Sequence, residues 1–135
     1  MCDAWRRRGT ALVTLLLLAG LVPERLDDYF RTQKFVAFTD RTVTDPRKVR
    51  QLIEECRRNG YSAVEDELAY GVVAVAVPVF DQSGRVVAAL NSSSHSRRTT
   101  KVKLVRERLA MLRQASREIS AELARAPGLA LSAQP

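Results

Sequence analysis

Two apolar runs, Val72–Phe80 and Arg85–Leu90, stand only four residues apart, joined by Asp81-Gln82-Ser83-Gly84. β-Branched runs bounded by Asp, Ser and Gly fold as a hairpin with a four-residue loop. The rest of the chain must then pack around that hairpin. Both runs are nearly continuous in Val and Ala rather than alternating with polar residues, which predicts strands covered on both faces. Directly afterwards the composition turns polar, Asn91-Ser92-Ser93-Ser94-His95-Ser96. Small hydroxyl and amide groups at a strand end either form a turn that caps the next helix, the reading the residues favour, or line a polar pocket.

The flanking segments read as helices and links. Thr44-Asp45-Pro46 is a helix start, with Asp as cap and Pro in the first turn. The helix that follows places Val49, Leu52, Ile53 and Cys56 on one face and ends at Asn59-Gly60, the expected left-handed stop. Tyr61–Val64 fits a short strand, and Glu65-Asp66-Glu67 an acidic loop. Pro23–Phe30 is a short helix with Leu26, Tyr29 and Phe30 on its apolar side, and Lys34–Thr44 an irregular link. A long helix from about Thr100 to Arg125 carries the stripe Val102, Val105, Leu109, Leu112, Ile119 and Leu123, with a basic opposite face. Residues 126–135 read as a frayed tail. There are no internal repeats.

The N-terminus has two readings. Arg6-Arg7-Arg8 followed by Thr10–Val22 has the shape of a secretory signal, which would make this a small secreted or membrane-anchored protein with a signal at 1–22. The apolar part is too short for a membrane span, which needs about 20 residues. No small-x-small cleavage site follows it, and Pro23-Glu24-Arg25-Leu26 looks like the next helix start. A buried core helix is the other reading.

A chain of 135 residues is one domain with room for one core. Its 46% hydrophobic content argues against disorder. The formal charge of +7 suits an acidic partner or a small anionic ligand. Arg97, Arg98, Lys101 and Lys103 carry part of it and read as a solvated helix face. An aromatic content of 6%, without basic–aromatic interleaving, argues against a single-strand nucleic-acid platform.

Nothing points to catalysis, a metal or a cofactor. Cys2 and Cys56 lack metal-ligand spacing; Cys56 reads as an ordinary thiol, and the cysteine usage fits a reduced, cytoplasmic compartment. His95 is the sole histidine. Glu65, Asp66 and Glu67 are adjacent and so point to alternate sides rather than converging. The serines at 92, 93, 94 and 96 lack a Gly-x-Ser-x-Gly elbow, and the glycines match no phosphate loop.

Order and spacing add what the individual residues do not. Gly60-Tyr61, Glu65-Asp66-Glu67, Gly71, Ala76-Val77-Pro78-Val79, Asp81 with Gly84, and Ala88-Ala89-Leu90-Asn91 with Ser93 resemble the C-terminal effector-binding domain of IclR-family transcriptional regulators. Leu17-Leu18-Ala19 and Thr39–Asp45 fit upstream, so the likeness covers roughly 10–125. Asn91–His95 and Arg97 look closest to the subgroup controlling protocatechuate, 4-hydroxybenzoate and β-ketoadipate catabolism.

The resemblance implies an α/β (α+β) fold, a GAF-like antiparallel sheet packed with helices and closed by a long C-terminal helix. It divides the chain into a disordered basic N-terminus (1–9), an effector-binding domain lacking its first strands (10–125), and a tail (126–135). It makes Thr10–Leu21 a helix walling a ligand pocket, and it implies a cytoplasmic regulator rather than an enzyme. Carried over residue by residue, the ligand contacts fall on Asn91 and Ser93, with Ser92 beside them; on Ala74; on Val64 with Glu65 next to it; and on Thr10 and Thr14 of the lid helix. The lid lacks the Gly and the basic residue of the family pattern. The implied partners are a small aromatic or dicarboxylic acid and a second copy in a homodimer or tetramer. DNA would be met only through a winged helix-turn-helix that these residues do not contain, so this chain alone is expected not to bind an operator specifically.

Overall fold

A computed structural model describes residues 12–126 of the chain. Helix α1 (Leu12–Ala19) and helix α2 (Pro23–Thr32) are followed by α3 (Pro46–Asn59). Strands β1 (Ser62–Glu65), β2 (Val72–Phe80) and β3 (Val86–His95) lead into α4 (Lys101–Arg125). The three strands form one antiparallel sheet in the order β1-β2-β3.

The sheet separates two apolar layers, and the period of two along each strand decides which residue enters which. Val64, Ala74 and Ala76 face a cluster built from α1, α2 and α3, including Leu15, Leu18, Leu26, Val49, Ile53 and Cys56. Val73, Val75 and Val77 face the other way, onto Leu104 and Leu112 of α4. β2 is therefore buried on both sides, which its unbroken Val/Ala run anticipates. β3 is not: its residues are half-buried at first and alternate with exposed ones from Asn91 onward.

Two expectations are corrected here. The second strand does not stop at Leu90, and Asn91–His95 is not a turn that caps the next helix. Asn91 to His95 continue the ladder opposite Ala76 to Val72, because an edge strand tolerates polar side chains wherever one face meets water. The stripe expected on the long helix holds at Val105, Leu109 and Leu112, which pack against the sheet, but not at Val102 or Ile119. Leu104 is 1% exposed and Ser116 is buried, whereas Val102 is 75% exposed and Ile119 40%.

Local chemistry sets the element ends. Asp45 caps α3 by accepting from the Arg47 N–H, and Gly60 closes it at φ +68. Thr100 caps α4 through the Lys103 N–H. Carbonyls at the end of α1 and just past it are met from a distance: Arg57 donates Nε to the Ala19 oxygen at 2.8 Å and Nη2 to the Leu21 oxygen at 3.0 Å. In the hairpin, Asp81 Oδ1 accepts from the backbone N–H groups of Ser83 and Arg85, and Oδ2 takes the Arg85 fork. The Ser83 hydroxyl, which donates to Oδ1 at 2.7 Å, leads these bonds in holding the Asp81 carboxyl far below the usual carboxylate range.

The apolar segment that also matched a secretory signal is, from Leu12 onward, a core helix: Leu12, Leu15, Leu16 and Leu18 are buried. No described helix is long and apolar enough to cross a membrane.

Candidate functional site: the α1 face of the sheet at β3

Antiparallel pairing places Ser93 opposite Ala74 and Asn91 opposite Ala76. Cross-strand partners point to the same face, and Ala74 and Ala76 belong to the α1 layer. Asn91 and Ser93 therefore present an amide and a hydroxyl side by side on the α1 face, both exposed. Val64 pairs with Ala74 from the other side, on the same face and buried. Ala74 and Ala76 themselves are buried in the α1 layer. Buried Thr14 sits on α1, the helix that covers this face. Thr10 lies outside the described residues.

Two of the expected contacts are turned away from this group. Ser92 pairs with Val75, on the α4 face, and its Oγ accepts from Arg108 Nη1 at 2.7 Å. Glu65 pairs with Val73, also on the α4 face. Its Oε2 accepts the Lys101 N–H at 3.1 Å, at the start of α4, where a carboxylate meets the positive end of the helix. Neighbours along a strand alternate sides, so neither shares the face of Asn91 and Ser93.

The loop between β1 and β2 is clamped from the irregular link. Thr39 Oγ1 donates to the Asp66 carbonyl at 2.6 Å and Thr42 Oγ1 to the Glu67 carbonyl at 2.5 Å. Asp66, at φ +59, accepts the Gly71 N–H at 2.6 Å and pairs with Arg41. Of the acidic triplet, Glu65 thus ends β1 while Asp66 and Glu67 form a hydrogen-bonded corner. Burial pushes the Glu67 carboxyl up, with Lys101 opposing it, and Glu67 Oε2 has no partner among the described residues.

A separate groove of about 310 Å³ follows the outer edge of β1 between α3 and α4. Leu52, Cys56 and Tyr61 line it, with Glu55, Glu67 and Lys101 at its polar margin. It shares Val64 with the α1-face group but holds neither Asn91 nor Ser93. Burial pushes the Cys56 thiol up, so it is a poor nucleophile. Among the described residues no three His, Cys, Asp or Glu side chains are grouped to hold a metal.

One residue of this region carries no signal in the sequence. Arg108 looks like any basic residue of an amphipathic helix, yet it reaches from α4 to β3. Only knowledge that β3 continues through Asn91–His95 would bring it to notice.

An antiparallel sheet with α1, α2 and α3 on one face and the long α4 on the other is also the fold of the relatives this chain matches. Residues 9–121 match the family model described as "Bacterial transcriptional regulator IclR C-terminal". The chain belongs to that family, one of transcriptional regulators and not of enzymes. It is 37% identical over 108 residues to the Pca regulon regulatory protein of Pseudomonas putida, covering 80% of this chain and 37% of that protein. To the p-hydroxybenzoate hydroxylase transcriptional activator of Acinetobacter baylyi it is 31% identical over 104 residues, covering 77% and 38%. The chain thus spans under half the length of these relatives.

Among solved structures, a transcriptional regulator from Rhodococcus sp. RHA1 superposes with a TM-score of 0.83 at 28% identity, over 90% of this chain and 48% of that one. A double mutant of the PobR inducer-binding domain from Acinetobacter, in complex with 3-hydroxybenzoic acid, gives 0.77 at 27%, over 82% and 63%.

Proposed function

We propose that this domain senses a small organic acid, aromatic or dicarboxylic, held on the α1 face of the sheet. The observation that carries the reading is the placement of Asn91 and Ser93 opposite Ala76 and Ala74, two exposed hydrogen-bonding groups beside two small buried residues on the same face of the sheet. Asn91 and Ser93 donate to the ligand's carboxylate, Ala74 and Val64 shape its bed, and α1 with Thr14 forms the lid. The complex of the PobR domain with 3-hydroxybenzoic acid, and the roles of the Pca and p-hydroxybenzoate relatives as regulators, support an aromatic acid.

In this reading the domain works as a homodimer or tetramer in the cytoplasm. The ligand shifts the population of subunit arrangements by binding one better than another, and a DNA-binding module elsewhere in the regulator reads the change. The test is titration calorimetry of the chain against 3-hydroxybenzoate, 4-hydroxybenzoate, protocatechuate and β-ketoadipate. Saturable micromolar binding of one acid is expected, and its absence in a folded protein would contradict the reading.

A further inference from the structure

The groove along β1 is built from side chains of four elements. Leu15 comes from α1, Val64 from β1, Leu52 and Cys56 from α3, and Val102 and Val105 from α4. Its walls are tied to each other within the chain. Where β1 begins, Arg113 of α4 donates Nη2 to the Asn59 carbonyl, at the end of α3, at 2.7 Å. The same guanidinium lies over the Tyr61 ring, 5.8 Å from its centroid. Where β1 ends, the Lys101 N–H at the start of α4 donates to Glu65 Oε2. The groove runs between these two ties, from Asn59 and Tyr61 to Glu67 and Lys101. Its volume of about 310 Å³ suits a one-ring compound.

The polar groups of the groove are unequal. Glu55 and Glu67 stand against Lys101. Glu67 Oε2 is buried and has no partner among the described residues. Lys101 acts on the Glu67 carboxyl through its charge and donates no hydrogen bond to that oxygen. A buried carboxylate oxygen is ordinarily met by a donor, and leaving it unmet is costly. The corner that carries Glu67 is pinned, because Thr39 and Thr42 hold the carbonyls of Asp66 and Glu67. Among the described residues no grouping of His, Cys, Asp or Glu would hold a metal there. An ammonium supplies three N–H donors and the missing positive charge, and an apolar body attached to it packs on the lining.

We propose that the β1 groove is a second ligand site, taking a small primary amine with an apolar body. The ammonium sits on the Glu67 carboxylate, and the body lies against Leu52, Val102 and Val105. The site is separate from the acid site on the α1 face: the two share Val64 alone, and they select opposite charges.

The experiment is calorimetric titration of the chain near neutral pH with benzylamine, which is an ammonium there, and with benzyl alcohol, which has the same body without the charge. Wild type, Glu67→Gln and Leu52→Trp are compared, with melting temperatures as the check on folding. Wild type should bind the amine at least ~10-fold more tightly than the alcohol, the size of one charge-assisted hydrogen bond. Glu67→Gln should weaken the amine about 10-fold and leave the alcohol unchanged. Leu52→Trp fills the groove and should weaken both compounds at least ~10-fold; it tests the volume where Glu67→Gln tests the charge, and serves if the glutamine variant does not fold. Equal affinity of wild type for amine and alcohol overturns the proposal, as does the absence of saturable amine binding to the folded chain. A preference for the amine that survives in folded Glu67→Gln, or amine affinity unchanged in folded Leu52→Trp, overturns it as well.

Discussion

At Gly71 the backbone stands at φ +84, and a Cβ built there would lie 2.8 Å from His95 Nε2. The imidazole can move aside, but the left-handed conformation stays strained for any L side chain. Gly71→Ala should therefore cost about 1 kcal/mol or more, read as a lower denaturation midpoint at unchanged slope. A variant as stable as wild type would show that the corner relaxes freely. Glu67, on the same corner, gives a pH test. Its folded carboxyl titrates above the usual glutamate range because burial disfavours the charge. The folded state thus holds the proton more tightly than the unfolded chain does. The resulting stability is full below the ordinary glutamate value, about 4.3, and is lost as pH rises through the elevated folded value. Glu67→Gln should raise the melting temperature at pH 7, leave it unchanged near pH 3, and flatten the slope between. A decrease at pH 7 would mean that the carboxylate has a partner in solution. Individual contacts were only half legible in the sequence. The likeness to the family brings Asn91, Ser93, Ala74 and Val64 to one face, but treating neighbours as one cluster hides the alternation that sends Ser92 and Glu65 to the other.

At the scale of elements, the hairpin and α3 were readable because their signals are local: β-branched runs around Asp81–Gly84, and Asp45, Pro46 and Gly60 at the helix ends. The extent of β3 was not. Asn, Ser and His disfavour strands on propensity, and only pairing with Val72–Ala76 makes them continue one. The stripe of α4 misled at Val102 and Ile119 for a related reason. A basic helix with apolar residues at several spacings has more than one plausible inner face, and the sheet beneath selects the one holding Leu104, Leu112 and Ser116. Ser116 Oγ donates to the Pro78 carbonyl at 2.5 Å, which no apolar pattern encodes. The contrast is measurable. Leu104→Ala should cost about 2–5 kcal/mol, whereas Val102→Ala should stay within about 0.5 kcal/mol. Chemical denaturation of the two variants compares them directly, and equal costs would contradict this seating of α4.

Across the whole molecule, one three-stranded sheet divides two jobs. The α4 face, built on Val73, Val75, Val77 and Leu104, is packing. The α1 face pairs an apolar layer with an exposed polar strand end, and small residues at 74 and 76 separate the two. The order of motifs carried this architecture in the sequence even though each motif alone is weak, and the same order resolved the apolar N-terminal segment from Leu12 onward as a core helix. What order cannot encode is the reach of α4 across β3, because Arg108 and Ser93 are joined only by the packing of the long helix on the sheet. The central claim is that Asn91 and Ser93 hold an organic acid on the α1 face. The most direct test is calorimetric titration of the panel of acids into wild type and into the Asn91→Ala, Ser93→Ala double variant, with melting temperatures taken alongside. Both positions are exposed, so the double variant should melt within a few degrees of wild type and lose saturable binding. Unchanged affinity in a folded double variant would contradict the account and place the ligand elsewhere on the domain.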